Sequence, residues 1–116
     1  MRDFKVERIV KKIKSAEALI EIGLYLDAAS LYWQASRDYM FFWLTKHNVE
    51  YDSTNEALRQ IIQLFDKDSM SKIVIEIEII GTLSEWDEFF DMSKEQVIDF
   101  KNNCISVLKY MGYDGN

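Results

Sequence analysis

From its first residues the chain shows one helical period after another. Val6, Ile9, Val10, Ile13, Ala16 and Ile20 recur at steps of three and four with lysines opposite, which predicts a helix from Phe4 to Ile22. Gly23 stands just past it, where a residue that accepts the left-handed conformation closes a helix at little cost. A second helix is expected from Tyr25–Asp27 to Lys46–Asn48, and so short a connection makes the two an antiparallel hairpin. This second helix carries two apolar stripes. Ala28, Leu31, Tyr32, Ala35, Tyr39, Phe42 and Trp43 fall on one side. Trp33, Met40 and Leu44, with Arg37 among them, lie roughly 100° or more away. A helix that is apolar on most sides is buried on most sides. It is either the central helix of a bundle or one shared with a second chain. On the second alternative Trp33, Arg37, Met40 and Leu44 are the candidate interface, with an aromatic residue and Met where interface centres favour them.

After a loop at Val49–Asp52, Ser53 and Glu56 have the spacing of a capping box, and Ala57, Leu58, Ile61, Ile62 and Phe65 continue as a short amphipathic helix. Asp66–Ser69 is expected to break it. The next run, KIVIEIEIIGTLSEWDEFF, reads two ways. Ile75, Ile77 and Ile79 alternate with Glu76 and Glu78 as in a strand, whereas Ile73, Ile77, Ile80 and Leu83 keep a helical spacing. No other stretch offers a partner strand, and a lone strand leaves its backbone hydrogen bonds unmade, so a helix is expected over Ile73–Phe90. Gly81 within it marks a close approach or a kink. Ser93 and Gln96 form a second capping box, with Met92 and Val97 placed as a hydrophobic staple. Val97, Phe100, Cys104, Leu108 and Met111 trace the core face of the last helix, and Gly112 closes it. The expected fold is an all-α antiparallel bundle of about five helices, one domain over residues 1–112 with a short fraying tail at 113–116.

Composition narrows the function classes more than it identifies one. At 116 residues with 48% hydrophobic content, the chain can bury a core without disulfide or metal staples. Its longest apolar run, Tyr39–Leu44, is far short of a membrane span of roughly 20 residues. The N-terminus has scattered charges and no apolar signal core, and the single cysteine cannot form an internal disulfide, so a cytoplasmic location is expected. The net charge of −6 hides an asymmetry, because Arg2, Lys5, Arg8, Lys11, Lys12 and Lys14 crowd the first fourteen residues, against only Asp3 and Glu7. Lys5, Arg8 and Lys12, together with His47, are the candidate contacts for a nucleotide or nucleic acid, set against the plain reading of a solvated face. With one histidine in the chain, a metal site would rest on Glu85, Asp87, Glu88 and Asp91, a run that reads as solvated, so no metal and no cofactor are expected. Cys104 on an apolar helical face predicts a buried, inert thiol, and no glycine-rich phosphate loop occurs.

Gly23, Tyr25, Ala28, Tyr32 and Ala35 read G-x-Y-x-x-A-x-x-x-Y-x-x-A. That resembles the second half of a tetratricopeptide repeat, but no copy recurs about 34 residues later, so a solenoid is not expected. The same residues look like the opening hairpin of HEPN-type helical domains, followed in this chain as in that family by a long aromatic helix, a polar loop, a short helix and two more helices. The loop NVEYDSTNEAL has Asn55 where the family tends to carry a His, and GTLSEWDEFF with SKEQV is similar to the last two helices of a small archaeal-type branch. Ribonuclease members of the family carry an Arg followed four to six positions later by a His, brought together across a homodimer. Arg37 and His47 stand ten apart, about 15 Å along a helix, so the resemblance implies the scaffold without the activity and no catalytic residue. What it implies is a non-catalytic binding module, homodimeric, that partners a nucleotidyltransferase-like protein or binds a nucleotide. The alternatives are a divergent RNA-processing enzyme using Arg37, His47 and the basic first helix, and a purely structural helical adaptor.

Overall fold

Helix α1 (Phe4–Glu21) gives way to α2 (Tyr25–Lys46) across three residues. Gly23 takes φ +83°, its N–H donates to the Ile20 carbonyl at 3.1 Å, and the Leu24 N–H reaches back to Leu19 at 2.9 Å. This left-handed closure satisfies carbonyls that a helix end otherwise leaves bare. Asn48, at φ 59°, ends α2 in the same way, with the Val49 N–H on the Leu44 carbonyl at 2.9 Å. The computed structural model describes residues 4–65 and 70–115. Within them α3 (Thr54–Leu64), α4 (Met70–Trp86) and α5 (Lys94–Tyr110) complete an all-α fold of five helices, with no strand among the described residues. The break expected at Asp66–Ser69 lies outside the described residues. No helix among them is long and apolar enough to cross a membrane.

The caps follow the sequence with one displacement. At α5, the Ser93 hydroxyl accepts the Gln96 N–H at 3.1 Å while the Gln96 side chain accepts the Ser93 N–H at 2.8 Å, a complete capping box. At α3 the Ser53 hydroxyl accepts the Glu56 N–H at 3.1 Å, but the Glu56 carboxylate takes the N–H of Asp52 instead of that of Ser53.

The ambiguous run is helix α4, because its buried positions are Ser71, Val74, Ile77, Gly81 and Ser84, a three-and-four spacing that a strand cannot put on one side. It ends at Trp86, four residues before the expected limit at Phe90. There the Asp87 carboxylate accepts the Phe89 N–H at 2.9 Å, a local bond that competes with continuing the helix. The tail also departs from expectation. Tyr113 is buried, edge-on to the Tyr39 ring at 5.6 Å, and its N–H is bonded to the Leu108 carbonyl at 2.9 Å. The chain therefore stays packed past Gly112.

Every other helix packs on α2. Its first stripe is covered, with Ala28, Tyr32, Ala35 and Tyr39 buried, and so is its second, with Trp33 at 3% exposure and Met40 and Leu44 at 0%. The second cover comes in part from α4, whose backbone lies directly on the Trp33 indole. A Cβ added at Gly81 would fall 2.3 Å from Trp33 Cγ. Gly81 thus marks a close approach, and α4 runs through it as unbroken helix. The buried hydroxyls of Ser36 and Ser84 donate to carbonyls of their own helices, Tyr32 at 2.8 Å and Gly81 at 2.7 Å, so neither costs the core an unmade bond.

Candidate functional site

Lys5, Arg8 and Lys12 follow one another along α1 at steps of three and four, which sets them on one side of the helix. The apolar side holds Ile9, Val10, Ile13 and Ala16, all buried. With that side fixed against the core, the cations are turned to the edge where α1 meets the second half of α2. The Lys12–Asp38 ion pair marks the register, and from it Arg8 comes level with Phe42 and Lys5 with Thr45. All six line one groove of about 360 Å³, together with Ile9, Phe41 and Tyr51.

The groove combines charge with flat rings. Lys12 Nζ is 2.5 Å from Asp38 Oδ2, so the one carboxylate in the lining already has a cation of its own. Tyr51 comes from the loop ahead of α3 and lies nearly parallel to Phe41, centroids 5.5 Å apart and planes 21° apart. All three aromatic rings of the lining, Phe41, Phe42 and Tyr51, are only part-buried. A recess lined by Lys5, Phe42, Thr45 and Lys46 adjoins the groove through the three residues they share, and the Lys46 ammonium stands 5.6 Å from the centre of the Phe42 ring. Cations beside part-exposed rings can hold an anionic group and a planar group at the same time.

The other candidate residues lie elsewhere. His47 does not line the groove. Its ring stacks on Trp43 at 3.9 Å, with Nδ1 2.8 Å from the Trp43 carbonyl oxygen. Arg37 leans across to α4, its guanidinium 3.8 Å from Glu85 Oε1 and 5.8 Å from the centre of the Trp33 ring. Arg37 and His47 therefore have separate surroundings on one helix. Of the four residues read as an interface, Trp33, Met40 and Leu44 are buried within the protomer, and only Arg37 reaches the surface. Among the described residues no three of His, Cys, Asp and Glu come together as metal ligands. In the acidic run Glu85 faces Arg37, while the carboxylates of Asp87 and Asp91 accept the N–H groups of Phe89 and Met92.

Phe41, Phe42, Tyr51 and Thr45 are the lining residues that composition and charge alone do not single out. The signal for Phe41, Phe42 and Thr45 is the register of α1 on α2, which the opposite charges of Lys12 and Asp38 mark. Tyr51 has no such signal, because the path of its loop depends on how α3 docks.

Cys104 is fully buried, and burial pushes its thiol up to about 12, the neighbouring Ser36 side chain partly opposing the shift. A colorimetric thiol reagent at neutral pH should label the native protein only as fast as the chain opens, and the denatured chain at once. Since the folded thiol keeps a proton that the unfolded one sheds, this contribution to stability is whole below about pH 9. It drains away as the pH rises toward about 12. Rapid, stoichiometric labelling of the native protein would place Cys104 at the surface.

No family model matches this sequence, and no match is found among curated proteins or solved structures.

Proposed function

We propose that this chain is a non-catalytic binding module on an antiparallel, HEPN-like bundle, and that its ligand is a nucleotide held in the groove between α1 and α2. The observation that carries this reading is the convergence of Lys5, Arg8 and Lys12 with Phe41, Phe42 and Tyr51 on one groove of about 360 Å³. That volume is within the range of small-molecule sites. Phosphate oxygens are drawn to the cations, and a base has a π-face to offer the rings. The reading is one of binding without turnover because the lining supplies cations, rings and the Thr45 hydroxyl, while its one carboxylate is occupied by Lys12. The HEPN-like part rests on the order of elements, a hairpin, a long aromatic α2, a short α3 and two further helices, with Ala28, Tyr32 and Ala35 of the opening motif buried in the core. A nucleotidyltransferase-like protein is the kind of partner that such a module would serve.

Titration of the purified chain with ATP, AMP, adenosine, inorganic phosphate and a short single-stranded oligonucleotide tests the proposal. The nucleotides should bind more tightly than either phosphate or adenosine alone. Tyr51→Ala should weaken binding by the roughly 1–3 kcal/mol of one stacking contact, about 5- to 150-fold. Arg8→Ala should weaken it and flatten its dependence on salt. Equal affinity for phosphate and AMP would reduce the site to an anion patch, and an oligonucleotide that outcompetes every mononucleotide would reassign it to nucleic acid.

A further inference from the structure

Helix α4 is apolar on two sides. One side, with Val74, Ile77 and Gly81, belongs to the core. The other presents Lys72, Ile75, Ile79, Thr82 and Trp86, every one of them exposed. Ile79 is 56% exposed and Trp86 81%, and the turn after the helix adds Phe89 at 88%. These positions step by three and four in alternation, the spacing of a seam along which one helix packs against another. Single exposed apolar residues are ordinary, but a continuous row ending in two bare aromatic rings is not. Between Thr82, Leu83, Trp86 and Phe89 the surface is hollowed into an open cleft of about 450 Å³.

We propose that a second copy of this chain docks here, α4 against α4 in opposite directions, about a two-fold axis through Ile79. Charge selects the occupant and the direction. The row begins with a cation, Lys72, and ends beside two carboxylates, Asp87 and Glu88. In the opposed arrangement Lys72 of each copy meets the Trp86–Glu88 end of the other, where a ring face and carboxylates both favour an ammonium. Ile75 then falls level with Leu83 across the axis, at the edge of the cleft. Helices laid in the same direction would set Glu76 on Glu76 and Glu88 on Glu88. A self-complementary face is what a two-fold contact requires. The carboxylates at its rim and the chain's net charge of −6 count against an anionic lipid surface as the occupant. Trp86 and Phe89 each offer on the order of 150 Å² or more, and with the isoleucines they bring the face toward the roughly 800 Å² per partner of a specific interface.

Sedimentation of the whole chain from low to high micromolar concentration tests this. Wild type should shift reversibly from monomer to dimer. Trp86→Glu, which takes a large exposed ring from the face of both copies, should weaken the dimer by at least about 30-fold, with an unchanged circular dichroism spectrum because the side chain has no part in the core. Lys72→Glu should weaken it as well, and adding Glu88→Lys should restore it. Wild type that stays monomeric throughout, or Trp86→Glu that dimerises as well as wild type, overturns the proposal. So does failure of the charge exchange to restore the dimer, since opposed pairing demands it. Binding to anionic phospholipid vesicles that Trp86→Glu abolishes in a monomeric protein would give the face to a membrane surface instead.

Discussion

Replacing Gly81 by alanine should destabilise the protein by about 2 kcal/mol or more, although alanine is by far the better helix former. Helix propensity alone favours the substitution by about 1 kcal/mol. Against it stands the Trp33 indole, whose Cγ, Cδ2 and Cβ would lie 2.3, 2.5 and 2.8 Å from the new methyl. The nearest atoms belong to the root of the side chain, so rotating the ring cannot clear them, and Trp33 at 3% exposure has no open space to retreat into. Either α4 must lift or the ring must leave its rotamer. Overpacking of this kind costs about 1–3 kcal/mol or more, and this case belongs at the upper end. Thermal melts followed by circular dichroism should show the loss, and Trp33→Leu in the same chain should recover part of it, a coupling that independent sites do not show. A Gly81→Ala protein more stable than wild type would mean that α4 does not rest on the indole.

Met40→Glu should leave no folded protein under conditions where Met40→Leu folds normally. Met40 has no exposed surface, on a helix that every other helix packs against. A carboxylate placed there must either stay charged without a partner or be protonated inside an apolar core, at a cost of several kcal/mol. That is a large share of the roughly 5–15 kcal/mol that holds a domain together. The leucine variant keeps volume and polarity and should lose less than about 1.5 kcal/mol. Far-ultraviolet circular dichroism and size exclusion distinguish the outcomes. A folded Met40→Glu monomer with wild-type melting would turn the second stripe of α2 outward and remove α2 from the centre of the bundle.

The two substitutions bear on what could be read from the chain before its fold was known. Helix ends were legible because their signals are local. Gly23 and Ser93 each act through hydrogen bonds within a few residues, and both closures form as their spacing implies. Where a nearer bond competes, the reading slips by a little: the Asp87 carboxylate takes the Phe89 N–H and stops α4 at Trp86, and Glu56 caps Asp52 in place of Ser53. The second stripe of α2 was legible as buried but not as buried by what, since periodicity reports that a face leaves water and is silent about the surface that covers it. Gly81 held the missing half of that answer, a residue without a side chain on the helix that supplies the cover. At the groove, Lys5, Arg8 and Lys12 stood out by charge. Their aromatic neighbours did not, because Phe41 and Phe42 sit in an apolar run that looks like core from either side. His47 was read beside the cations, yet its ring folds onto Trp43, the residue one helical turn behind it.

Trp33 and Gly81 lie far apart along the chain, and that separation orders the assembly of the bundle in time. The α1–α2 hairpin needs only the turn at Gly23 to close, and it has the most extensive packing in the molecule. The contact between α4 and the indole must wait until α3 and its connections have looped back. Closing so long a loop adds little to the final free energy, because the entropic term grows only logarithmically with length, but contacts distant in sequence are slow to form. Until that contact forms, the place over the Trp33 indole that α4 occupies stands open. The partner that fills it is whichever α4 arrives first, so at high concentration during folding the same fit that completes one chain can instead exchange α4 helices between two.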